Sequence, residues 1–123
     1  NGGANSVAVY ARPKLKSSKQ MIVVGGDFNS DTSTLNNCFF THNGGQTWKA
    51  PKTPPNGYRS CVEYLSEKDV LCCGLTGVDY SADGGRNWKW VSKESFNVCR
   101  IAKLGTSIYL AGNNGKVARI TWR

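Results

Sequence analysis

Short runs of strand-forming residues recur along the chain, each closed by glycine, asparagine, aspartate or proline. The first is Ser6-Val7-Ala8-Val9-Tyr10-Ala11 and the second is Gln20-Met21-Ile22-Val23-Val24-Gly25. Similar runs follow at 37–41, 46–50, 59–65, 69–74, 77–81, 86–91, 97–103, 107–112 and 116–121. Runs this short, bounded by turn residues, read as strands. None approaches the ~18 consecutive apolar residues of a membrane-spanning helix. The pattern predicts an all-β chain of antiparallel strands joined by tight turns.

One turn pattern occurs twice in register. Thr41-His42-Asn43-Gly44-Gly45-Gln46-Thr47-Trp48 is matched forty positions later by Ser81-Ala82-Asp83-Gly84-Gly85-Arg86-Asn87-Trp88. A period of 20–50 residues marks a repeat architecture. Asn-Gly and Asp-Gly between strand-like runs are hairpin signals, because tight turns need positive φ. Each copy therefore reads as a hairpin turn followed by a tryptophan that packs.

This pattern resembles the Asp-box, or bacterial-neuraminidase repeat, Ser-x-Asp-x-Gly-x-Thr-Trp. The second copy departs from it at Asn87; the first has Thr41 for Ser and Asn43 for Asp. The resemblance implies structural roles for Thr41, Asn43, Gly45, Thr47 and Trp48, and for Ser81, Asp83, Gly85, Asn87 and Trp88. In proteins that carry it, the box joins the two outer strands of a four-stranded β-propeller blade. Sialidases, sortilin-type receptors and photosystem II stability factors are examples, and the wording here is most similar to the last. The resemblance implies a fold and little about chemistry, since fold and activity are separable.

Numbered inner to outer as A to D, the runs give A-B-C-D, A-B-C-D, A-B-C. The expected blades are 6–50, 58–91 and 96–122, the last without its outer strand. A propeller needs four to eight blades so that each is packed on both faces. Three blades form an open arc, which is expected to be the C-terminal portion of a larger ring, to self-assemble, or to pair with another subunit. The opening Asn1-Gly2-Gly3, with no initiator Met, fits a processed or excised chain. The compartment stays open, with an exported (secreted or periplasmic) setting favoured.

Sixteen basic against eight acidic residues give a net charge of +8. Apart from Arg12, Lys14, Lys16 and Lys19, the charge is scattered, which reads as solvated surface rather than a nucleic-acid footprint. The five cysteines, Cys38, Cys61, Cys72, Cys73 and Cys99, have no zinc-ligand spacing and sit mostly in apolar runs. They are expected as reduced core residues, with a disulfide possible in an exported protein. No metal or other cofactor is expected; one carboxylate per box is too few for calcium.

In four-stranded blades the B–C and D–A loops share one end and the A–B and C–D turns the other. The boxes are C–D turns, so the candidate binding face is the opposite one: 26–36, 51–59, Thr76, 92–97 and 113–115. The first B–C loop, Asp27 to Asn36, is about ten residues against about three in the other two, and long polar loops on rigid scaffolds often carry function. Tyr58-Arg59 follows a proline-rich loop and is expected near the channel mouth, where Arg suits carboxylate or phosphate recognition; the alternative is an Arg bonding loop carbonyls. Asp27, Asp31, Tyr58 and Arg59 are the candidate binding residues; Arg100 and Arg119 are weaker ones. His42, the single histidine, lies in a box turn, and no His–carboxylate–nucleophile set can be assembled. The expected function is a non-catalytic scaffold or recognition module for a protein partner or a polar or anionic ligand. The alternative is a carbohydrate-binding or glycosidase-related propeller fragment.

Overall fold

The structure is a computed structural model that describes residues 2–11, 19–102 and 106–122. Arg12, Lys14 and Lys16 of the basic cluster, and the 103 end of the expected strand 97–103, lie outside the described residues.

Among the described residues, ten strands form three antiparallel sheets in chain order. Blade 1 contains β1 (Gly3–Val9), β2 (Met21–Gly26) and β3 (Cys38–Thr41). Blade 2 contains β4 (Cys61–Tyr64), β5 (Val70–Gly74), β6 (Gly77–Ser81) and β7 (Lys89–Ser92). Blade 3 contains β8 (Val98–Ile101), β9 (Ser107–Ala111) and β10 (Val117–Thr121). Strands pair with their neighbours in sequence, as up-and-down blades require. The fold is all-β, an open run of propeller blades.

The inner strands β1, β4 and β8 lie side by side. Val62 N donates to Ser6 Oγ at 3.2 Å, and Ile101 N donates to the Glu63 carboxylate at 3.0 Å. Two apolar clusters fill the seams. Between blades 1 and 2 lie Ile22, Val24, Cys38, Phe40, Val62, Val70, Cys72 and Trp88. Between blades 2 and 3 lie Cys61, Leu71, Cys73, Val78, Phe96, Cys99, Ile108 and Leu110. The strand period of two explains the division. Along β5, Val70 and Cys72 face blade 1 while Leu71 and Cys73 face blade 3, so every residue of β5 is buried. Full burial of one such side chain stabilises by about 1.5–3 kcal/mol.

The outer strand expected at 46–50 is reduced to a single bridge, Phe40 with Lys49, whose N–H and C=O groups exchange bonds at 2.9 Å. The next donors are spent elsewhere. Pro51 has no N–H, and the chain swings onto the second repeated turn, where Lys52 N reaches Arg86 O at 2.8 Å and Trp88 N reaches Thr53 O at 2.9 Å. The first inner strand starts at Gly3 and ends at Val9, earlier than the apolar run 6–11 indicates.

Candidate functional site

The two repeated turns are built alike. In the first, Thr41 Oγ1 donates to Asn43 Oδ1 (2.8 Å) and accepts from Gly45 N (3.1 Å), while Asn43 Oδ1 accepts from Thr47 N (3.0 Å). In the second, Ser81 Oγ donates to Asp83 Oδ1 (2.8 Å) and accepts from Gly85 N (2.9 Å), and Asp83 Oδ1 accepts from Asn87 N (2.9 Å). Gly44, Gly45, Gly84 and Gly85 all have φ between 74° and 96°, which a side chain would strain. Burial works against the Asp83 carboxylate. Bonds from the Asn87 side chain and N–H, the Ser81 hydroxyl and Arg86 N–H outweigh it and hold its pKa below the ordinary value. Each turn also bonds the A–B turn of its own blade: Gly44 N to Lys19 O (2.9 Å) and Gly84 N to Lys68 O (2.8 Å). The A–B and C–D turns therefore share one end of the blades.

At the other end, three loops converge. The first is Asp27–Asn36, which opens with a 3-10 turn at Phe28–Ser30 capped by the Asp27 carboxylate on Asn29 N (2.9 Å). The second is the proline-rich connector into blade 2. The third is the β5–β6 turn with Thr76. Tyr58 N donates to Asp31 O (2.8 Å), Asn37 Nδ2 donates to Pro55 O (2.9 Å) and Gly57 O (2.8 Å), and Thr76 Oγ1 donates to Asn56 O (2.8 Å). Gly57, at φ +124°, sits where a Cβ would collide with both Asp31 O and Thr76 Oγ1. Only glycine lets the loops close to this distance. Gly74 plays the same part for the backbone of Tyr58 and Arg59.

Arg59 departs from its expected place. It is 0% exposed, not at a channel mouth. Its Nε donates to Asp79 Oδ2 at 2.8 Å, Nη1 to Tyr58 O (2.9 Å) and Thr76 Oγ1 (3.0 Å), and Nη2 to Asn56 O (3.1 Å). The Asp79 carboxylate, also fully buried, takes two further bonds from Asn56, N at 3.0 Å and Nδ2 at 2.8 Å. With its donors turned inward, Arg59 braces the loops and does not meet solvent. Asp79 was missed in the sequence. The available signal was a carboxylate in the middle of the apolar strand Gly77-Val78-Asp79-Tyr80-Ser81, because a buried charge needs a partner.

The surface over this brace is partly aromatic. Phe28, 63% exposed, meets Tyr58 edge to face with ring centroids 5.6 Å apart. The Asn5 side chain bonds the Tyr58 hydroxyl. Leu35 is exposed on the same loop as Asp27 and Asp31, which are both half-buried. Three of the four candidate residues, Asp27, Asp31 and Tyr58, are thus brought to one end with partial exposure. Arg119 lies on β10, far along the chain from this assembly. Arg100 lies on β8 beside Glu63, with Nη1 3.9 Å from the carboxylate. Both Arg100 and Glu63 line a groove of about 410 Å³ along β1 and β4. His42 sits in the first repeated turn, edge to face with Phe40 at 5.5 Å. Burial and the charges of Arg86 and Lys49 lower its pKa. Among the described residues, no three His, Cys, Asp or Glu side chains are set to hold a metal ion, and no helix is long and apolar enough to cross a membrane.

No protein-family profile and no curated protein matches the chain. Among solved structures, a chain described as "YCF48 bound to D1 peptide" is similar, with a TM-score of 0.67 and 17% identity over 94% of this chain. The fold is that of a β-propeller. The chain spans 36% of the length of that neighbour, just over a third. At this identity the likeness carries the architecture and leaves the partner to be argued from the site.

Proposed function

We propose that this chain is a non-catalytic recognition module within a larger or assembled propeller, and that it binds a segment of a protein partner at the B–C and D–A loop end. The observation that carries the reading is the convergence of the Asp27–Asn36 loop, the 54–59 connector and Thr76 over the buried Arg59–Asp79 pair. Pre-organised loops lose little freedom on binding, so their contacts go into affinity. Exposed Phe28, Tyr58 and Leu35 offer apolar contacts, and Asp27 and Asp31 offer acceptors for backbone or side-chain donors. A few polar groups around an aromatic surface suit a peptide segment. The likeness to a propeller described as bound to a peptide supports this class of partner. The two repeated turns are read as structural Asp-boxes, and the outward faces of blades 1 and 3 as seats for further blades of a longer chain or a second copy.

The test is selection of peptides from a displayed library against the folded chain, followed by NMR shift mapping. Shifts should centre on residues 27–36 and 56–58. Asp31→Ala and Tyr58→Ala should each weaken binding about tenfold with the fold intact, in the range of residues that anchor an interface. Mapping to the repeated turns, or selective retention of a sugar over every peptide, would overturn the reading.

A further inference from the structure

Blades 2 and 3 meet over sulfur. β4 contributes Cys61, β5 Cys73 and β8 Cys99, all to one buried cluster. Cys61 and Cys73 are directly opposed across the antiparallel β4–β5 pair. Opposed residues in such a pair have Cα atoms about 4.5–5.5 Å apart, within the span a disulfide bridges. All five cysteines are free thiols, yet their surroundings differ. Cys38 and Cys72 lie in the other cluster, and burial pushes Cys38 up to about 12 and Cys72 well above the ordinary thiol value. Among the described residues, neither accepts a hydrogen bond from a cation, although the Arg59 charge partly offsets burial at Cys72. Cys61 does: Arg100 Nη1 lies 3.0 Å from Cys61 Sγ and 2.8 Å from Cys99 O.

Two states of Cys61 are provided for. As a thiol it donates to Cys99 O at 3.4 Å. As a thiolate it accepts from the Cys73 and Cys99 thiols and from the Arg100 guanidinium, and these bonds lower its pKa while the protons stay on its two neighbours. The groups facing it are Cys73 from β5, Tyr80 packed on the cluster from β6, and Cys99 and Arg100 from β8, with Glu63 of its own strand 3.9 Å from Arg100. A thiolate beside a cation is the nucleophilic form of cysteine. Cys61 is 4% exposed, and Arg100, which bonds its sulfur, lines the inner groove.

We propose that Cys61 is a redox-reactive thiol, oxidised by hydrogen peroxide or an organic hydroperoxide, and that Cys73 resolves the product as a disulfide within blade 2. The Cys61 thiolate attacks the terminal peroxide oxygen, the O–O bond breaks, and water or an alcohol leaves after taking a proton. Cys61 is then a sulfenic acid. The Cys73 sulfur attacks it, loses its own proton, and releases the hydroxyl as water. Two thiols and one peroxide become one disulfide and two molecules of water, or one of water and one of alcohol. A dithiol reductant reverses the step by exchange. The new bond draws the Cys61 sulfur away from Arg100 and frees the guanidinium toward Glu63, at the wall of the inner groove.

The experiment treats the whole folded chain with an equimolar amount of hydrogen peroxide, blocks remaining thiols, and maps the peptides by mass spectrometry. The expected product is a Cys61–Cys73 disulfide with Cys38 and Cys72 reduced. A disulfide from Cys61 to Cys99 would overturn the role given to Cys73. Cys61→Ser should leave the remaining thiols reduced under the same treatment; an undiminished disulfide yield would overturn the role of Cys61. Arg100 is largely exposed, so Arg100→Met should keep the fold, as circular dichroism would show. It should slow iodoacetamide capture of Cys61 near neutral pH about tenfold and move the pH midpoint of that reaction upward, with Arg100→Lys restoring most of the rate. Capture of Cys61 no faster than that of Cys72, or no effect of Arg100→Met, would sink the proposal.

Discussion

The two repeated turns share their internal bonds and differ in what lies beside them. Trp88 is 4% exposed and completes the seam between blades 1 and 2, with its Nε1 on Gly85 O at 3.0 Å. Trp48 occupies the matching position and is 41% exposed. Trp88 packs with Ile22 and Phe40 of the preceding blade, whereas no described residues provide such a blade for Trp48. The same local instruction therefore makes a core residue in one copy and an exposed apolar one in the other. Turn formation is local, while the worth of the tryptophan depends on a neighbour.

The largest expected effect tests the flanked copy. Trp88→Ala should destabilise by about 3–5 kcal/mol, the usual cost of removing a buried large aromatic, as read from urea unfolding. Trp48→Ala in the same chain should cost no more than about 0.5 kcal/mol, as for ordinary surface positions. Equal losses would break the comparison.

The next effect is association. Val7, Val9 and Trp48 on blade 1, and Val98, Tyr109 and Val117 on blade 3, are exposed. Apolar faces of this kind are covered in complete propellers. Light scattering of the 123-residue chain should show species above its 13.4 kDa mass, and a Val7→Lys, Trp48→Asp double variant should shift them toward that mass. A monodisperse parent monomer with cooperative unfolding would count against the open arc.

Within the turns the copies should behave alike. Asp83→Ala and Asn43→Ala each remove side-chain acceptors from backbone donors and should cost about 1 kcal/mol. A difference larger than the cost itself would show that the seam, not the turn, sets the value.

The smallest effect separates them by charge. The folded pKa of Asp83 is depressed below its ordinary 3.8. Its contribution is therefore complete above that value and is lost as pH falls through the depressed one. Asn43 cannot titrate. The urea midpoint should decline between about pH 5 and about pH 2, less steeply in Asp83→Asn and more steeply in Asn43→Asp. Unchanged slopes in both would remove the carboxylate from the account.

Much of the architecture was legible. The apolar runs, the turn residues and the forty-residue repeat are local signals, and they located nine of the ten described strands closely, with β1 displaced toward its start. The outer strand of blade 1 was over-read because its pairing with Phe40 stops at Lys49, and past Pro51 the chain bonds to the second repeated turn at Arg86 instead. At the candidate site, loop length and turn chemistry pointed to Asp27, Asp31 and Tyr58. For Arg59 the sequence left a channel-mouth position and bonding to loop carbonyls both open, because residue type alone says nothing of the Asp79 carboxylate twenty positions later on β6.

What the sequence determined alone was secondary structure, strand order and the two turns, since each depends on residues a few positions apart and on backbone conformation. Tertiary structure decided which of two like tryptophans is core, that Arg59 turns its donors inward to Asp79, and that Cys61 rather than Cys72 is hydrogen-bonded by a guanidinium. Burial, ion pairing and thiol reactivity are set by neighbours brought together from distant positions, and only packing brings them.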